Sequence, residues 1–247
     1  MFNYFKIRIY FLMLLAGLIL IGSYPSAALF VFSEQLKLVV DSSMATGLIF
    51  GLIVAVLCAS HTVAREMRNG TVLLLLSKPV YRWTFILGKI TGIGAAVTLF
   101  TLLCNLATIT SVFIATDQFR FDMTIFFSYY GVLIAICAVG MIFNFWRGSS
   151  FPEISTYAAT LLIPIITAVC ILTQERPTVS LTDLGYALVL LNFAVIAMST
   201  ISVVFATRLD IVANLSLCTT VFFLGLVSSY LFQRQTDSEL LNALFQF

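Results

Sequence analysis

Seven apolar runs, separated by short polar segments, limit what this chain can fold into. They cover residues 9–32, 44–64, 84–115, 124–145, 154–173, 184–206 and 211–232. A helix of about 20 apolar residues spans the ~30 Å hydrocarbon layer of a bilayer. Inside lipid a backbone must satisfy its own N–H and C=O groups, and a helix does so within one segment. Composition agrees: 61% of residues are hydrophobic and 10% charged, with a mean hydropathy of +1.07. A soluble domain carries about 25% charged residues. The expectation is an all-α, polytopic transmembrane helical bundle of six to seven spans, one transmembrane domain over residues 1–247. No connecting segment is long enough to hold a soluble domain.

The most basic stretch lies between the second and third runs. It holds Arg65, Arg68, Lys78, Arg82 and Lys89 against one acid, Glu66. Within it sits a second apolar piece, Val72 to Leu76, which a basic loop has no evident reason to carry. Asn69-Gly70 is a helix stop, since both residues tolerate the left-handed backbone of a helix C-terminus. Thr71 can cap a new short helix through its side-chain oxygen. Ser77-Lys78-Pro79 ends it, because the residue before proline avoids the helical region. The loop over residues 65–83 therefore reads as a short helix of about two turns held between two breaks. It is either a hairpin lying at the membrane interface or a docking helix whose leucines a partner covers.

Orientation follows from charge. With the N-terminus inside, the inner segments carry Lys6, Arg8, Arg65, Arg68, Lys78, Arg82, Lys89, Arg147 and Arg208. The outer ones carry Lys37, Arg120, Arg176 and Arg234. Lys and Arg concentrate on the cytoplasmic side of membrane proteins, so the loop at 65–83 and the turn around Arg147 and Glu153 belong inside. Lys6 and Arg8 ahead of the first run, with Ser26-Ala27-Ala28 near its end, also fit a secretory leader. The apolar run continues past that site through Leu29 to Phe32, which favours a retained first span.

Charged groups sit at span ends, where a carrier driven by proton or ion flow usually needs them at mid-depth. The single histidine, His61, lies at the inner end of the second run and reads as an interfacial hydrogen-bonding residue. Ser60 beside it makes no nucleophile–base pair, since adjacent helical residues face different ways. Asn105, Asn144 and Asn192 can bond across helices or line a path. The five cysteines lie in apolar runs at no metal spacing, and read as small packing residues. No cofactor and no nucleic-acid partner is expected. The net charge is only +2, and Gly88-Lys89 lacks the glycine spacing of a phosphate-binding loop.

Glu66, Gly70 and Thr71 fit an acidic-x-x-x-Gly-Thr pattern, and Ser77, Pro79, Arg82, Gly88 and Lys89 fit the stretch that follows it. The chain in this region resembles the membrane subunit of ABC type-2 transporters, the permease class of ABC exporters. Thr207-Arg208-Leu209, Asn214-Leu215, Phe223-Leu224-Gly225-Leu226 and Tyr230 resemble the late part of longer permeases of this class. The resemblance implies a permease that forms a translocation path in the bacterial inner membrane and is not itself an enzyme. It implies a separate ABC ATP-binding subunit as partner, coupled through Arg65, Glu66, Arg68, Gly70, Thr71, Leu74 and Arg82. Arg147 and Glu153 are a candidate second cytoplasmic contact. A homodimer or paired permease, surrounded by membrane lipid, is expected. An odd number of spans would leave Phe247 outside, unlike such permeases. A truncated permease or a non-transporting membrane scaffold is therefore the alternative, and an intramembrane enzyme the remote one.

Overall fold

The computed structural model describes residues 3–31, 35–64, 82–116, 120–173 and 180–235. Among these, seven α-helices form an all-α bundle: α1 (Asn3–Ala28), α2 (Gln35–Ala59), α3 (Arg82–Ile114), α4 (Met123–Arg147), α5 (Phe151–Thr173), α6 (Leu181–Ala206) and α7 (Ile211–Gln235). α2 runs on into a five-residue π-helical turn, Ser60–Ala64. After α3 comes a minimal antiparallel pair, Ala115–Thr116 with Arg120–Phe121. Among the described residues, six helices are long and apolar enough to cross a membrane.

α3 is the axis of the bundle. Of an 18-residue apolar window within Leu87–Ile114, 72% is buried, against 28% of the corresponding window within Met123–Arg147 of α4. α1, α2, α5 and α6 pack around it, α4 lies against α5, and α7 lies outside α2 and α6. With 33 residues, α3 is about 50 Å long at 1.5 Å per residue, well beyond the hydrocarbon thickness. Phe100, Val97, Ala107 and Ile114 of α3 meet Leu14, Leu18 and Ile21 of α1 and Val54 and Ala55 of α2 in the main core.

Hydroxyls and amides stitch these helices together, as expected where water cannot satisfy a polar group. Pro25 in α1 has no N–H, so the carbonyl of Ile21 one turn earlier loses its helical donor. The Ser111 hydroxyl of α3 donates to that same carbonyl at 2.9 Å. Tyr129 of α4 donates to the carbonyl of Leu18 at 2.8 Å, and Tyr10 of α1 to that of Ala96 at 3.0 Å. Thr110 of α3 and Thr167 of α5 share a hydrogen bond of 3.0 Å.

Close approach explains three glycines. A Cβ on Gly22 would stand 2.3 Å from the Tyr129 ring, and one on Gly140 would stand 2.0 Å from Ser155 Oγ. On Gly51 it would meet Val195 at 3.0 Å and Thr101 at 3.2 Å, so α2, α3 and α6 converge there. Gly88 and Gly92 repeat the spacing of Gly47 and Gly51 in sequence, yet among the described residues nothing lies within 4 Å of a Cβ placed on either.

One expected loop is helical. Residues 33–43 read as polar from Lys37 and Asp41, but α2 begins at Gln35. Leu36, Val39 and Ser43 form a buried stripe at helical spacing, and the charged residues point away from it. The α4 ends are fixed locally. Asp122 caps its start by accepting from the N–H groups of Thr124 and Ile125 at 2.9 and 3.3 Å. Gly148 closes its end at φ +63°, donating to the carbonyl of Asn144.

Candidate functional site

The described candidates for cytoplasmic contact, Arg82, Arg147 and Glu153, lie at one end of the bundle, with His61. There the start of α1 meets the end of α2: Ile9 and Tyr10 share a small cavity with Val54, Leu57, Cys58, His61 and Thr62. The start of α1 also meets the α4–α5 turn, where the Phe11 and Phe151 rings pack edge to face at 5.5 Å. The α6–α7 turn joins through Asn214. Its amide donates to Ser60 Oγ at 3.0 Å and to both the carbonyl and the hydroxyl of Ser202 at 3.2 Å. Cys218 donates back to Asn214 Oδ1. One buried amide thus ties α7 and α6 to the π-helical turn that leads into the basic loop.

Arg65, Glu66, Arg68, Gly70, Thr71 and Leu74 lie outside the described residues. The two anchors of their loop are described: the turn Ser60–Ala64 before it, and Arg82 after it as the first residue of α3. Arg147 and Glu153 flank a three-residue turn between α4 and α5. Glu153 accepts from the Ser150 hydroxyl at 2.5 Å, a side-chain contact between the turn and the first turn of α5. Arg147 is exposed, and beside it Phe145 and Trp146 are exposed at 87% and 84%. The last two turns of α4 therefore leave the bundle uncovered.

The three asparagines expected to act inside the membrane divide by role. Asn105 donates to the carbonyl of Leu188 at 3.1 Å, joining α3 to α6. Asn192 accepts from Thr101 across the same seam. Asn144 lines a cavity at the α4–α5 turn. Sequence reading placed Asn214 only within a family-like stretch and missed its clasp. The available signal was an isolated amide one turn into a helix, flanked by apolar residues. Among the described residues no three His, Cys, Asp or Glu side chains come together as a metal site.

One end of the bundle collects the anchors of a basic loop, two short turns and a buried polar clasp. The other end carries Asp122 and Asp183 at the starts of α4 and α6, and Asp41 in the second turn of α2. A family model described as "ABC-2 family transporter protein" matches residues 9–240. No curated protein matches, and no solved structure does. A match of this extent takes in most of the chain, and the chain belongs to the ABC-2 family of transporter membrane proteins.

Proposed function

We propose that this chain, a permease component of an ABC transporter from a family whose membrane proteins work with ATP-binding subunits, serves an exporter in a bacterial inner membrane, with the N-terminus cytoplasmic, as one of two paired permeases. ATP hydrolysis would reside on a separate subunit, which docks on residues 65–83. Arg65, Glu66, Arg68, Gly70, Thr71, Leu74 and Arg82 form that contact in this reading, with Arg147 and Glu153 beside it.

The observation that carries the proposal is where the loop's anchors stand. The Ser60–Ala64 turn is tied by Asn214 to both α6 and α7, and Arg82 continues directly into the central helix. A push on the loop would therefore reach four helices at once. Charge asymmetry across the spans supports the cytoplasmic placement.

Leu74→Asp and Gly70→Pro test the docking. If Leu74 is buried against the ATP-binding subunit, an aspartate there is desolvated without a counter-charge, costing on the order of several kcal/mol. That corresponds to about a thousandfold in affinity. Proline at Gly70 cannot take a positive φ, so the short helix would be re-aimed. Both variants should insert in the membrane yet fail to co-purify with a tagged ATP-binding subunit. Retention of the subunit by both at the wild-type level, with normal transport, would refute the docking role.

A further inference from the structure

We propose that the cavity where the start of α1 meets the α4–α5 turn binds one anionic phospholipid. It holds about 630 Å³ and is lined by Arg8, Phe11, Leu12 and Leu15, by Asn144, and by residues 148–152. The four α1 residues stand at i, i+3, i+4 and i+7, which places them on one stripe of the helix. Along that stripe the lining passes from a guanidinium to hydrocarbon over about 10 Å of helix rise. A phospholipid makes the same passage from phosphate to acyl chain as it enters a leaflet.

The depth fits. The apolar stretch of α1 begins at Arg8, that of α4 ends at Arg147, and that of α5 begins at Phe151. Three helices thus set this level at the lipid–water boundary. The charge fits as well. α1 and α4 contain no acidic residue, and α5 contains only Glu153, whose carboxylate accepts the Ser150 hydroxyl. Arg8 can donate two parallel N–H groups to a phosphate, and Asn144 and Ser149 add further donors. Basic pockets between membrane helices bind anionic headgroups on this principle. A bare phosphate would leave the wall of Phe11, Leu12 and Leu15 unfilled, and a zwitterionic lipid would bring an ammonium towards Arg8. The site does not depend on the transport reading.

The full-length chain, purified in mild detergent, would be offered equal amounts of phosphatidylglycerol and phosphatidylcholine, and the retained lipid measured by native mass spectrometry. Wild type should keep phosphatidylglycerol about tenfold over phosphatidylcholine, the scale of one charge-assisted contact. Arg8→Ala should lose the preference and Arg8→Lys should keep most of it. Leu15→Trp, which fills the apolar wall, should lower retention of both lipids. Equal retention of the two lipids by wild type, or an unchanged preference in Arg8→Ala, overturns the site. Displacement by millimolar glycerol phosphate would assign it to a free phosphate and also overturn it. If Arg8→Ala fails to fold, Leu15→Trp decides alone: undiminished retention refutes the proposal.

Discussion

Gly22 shows how one missing Cβ holds two helices together. Tyr129 is 1% exposed, its ring lies over Gly22, and its hydroxyl reaches the carbonyl of Leu18. A methyl at position 22 would sit 2.3 Å from that ring, closer than carbon atoms tolerate. Gly22→Ala must therefore push the tyrosine off its seat and break the hydrogen bond, at a cost of about 1–3 kcal/mol. In a Tyr129→Ala background the same substitution should cost little, because the obstacle is gone. Gly92→Ala is the control, since among the described residues nothing lies within 4 Å of a Cβ there. Thermal unfolding in detergent should show non-additivity for the first pair and no loss for the control. Equal losses in both backgrounds would refute the latch. Ser111 works by the same economy, giving a hydroxyl to the carbonyl that Pro25 leaves without a donor.

At the scale of elements, the start of α2 teaches most. Lys37 and Asp41 made residues 33–43 read as a loop, because charge near a span end usually marks one. The helical answer lies in the other residues, Leu36, Val39 and Ser43, which recur three and four apart and are buried. Val39 is 0% exposed and packs with Ala28, Val112 and Leu188. Val39→Asp should then destabilise the protein by several kcal/mol, the cost of burying a polar group without a partner. Asp41→Asn, on an exposed face, should change the melting midpoint little. A comparable fall for both would show that this segment does not pack as a helix against α3 and α6. The α6–α7 turn makes the complementary point. Its sequence signalled a break correctly, but nothing local revealed that Asn214 crosses to Ser60, 154 residues away in sequence.

For the whole molecule, the decisive question is which end faces the cytoplasm. The proposed orientation puts the loop at 65–83 inside, with the anchors Ser60–Ala64 and Arg82 and the turns after α4 and α6. Asn69→Cys, in a background lacking all five native cysteines, should resist a membrane-impermeant thiol reagent in intact cells and label once the cells are opened. Efficient labelling in intact cells would reverse the orientation and remove the docking role with it. The sequence alone determined that the chain is a helical membrane bundle, because lipid leaves a long apolar segment no other way to satisfy its backbone. It also placed the polar breaks and carried the motifs that resemble the family. It did not reveal that α3 is the axis, or that α4 is largely uncovered. In water a helix announces its buried face by contrast with a polar one. In lipid the outer face is as apolar as the core, so the same leucines serve both. Which of them are buried was decided by tertiary packing, through glycines that allow close approach and hydroxyls that find carbonyls on neighbouring helices.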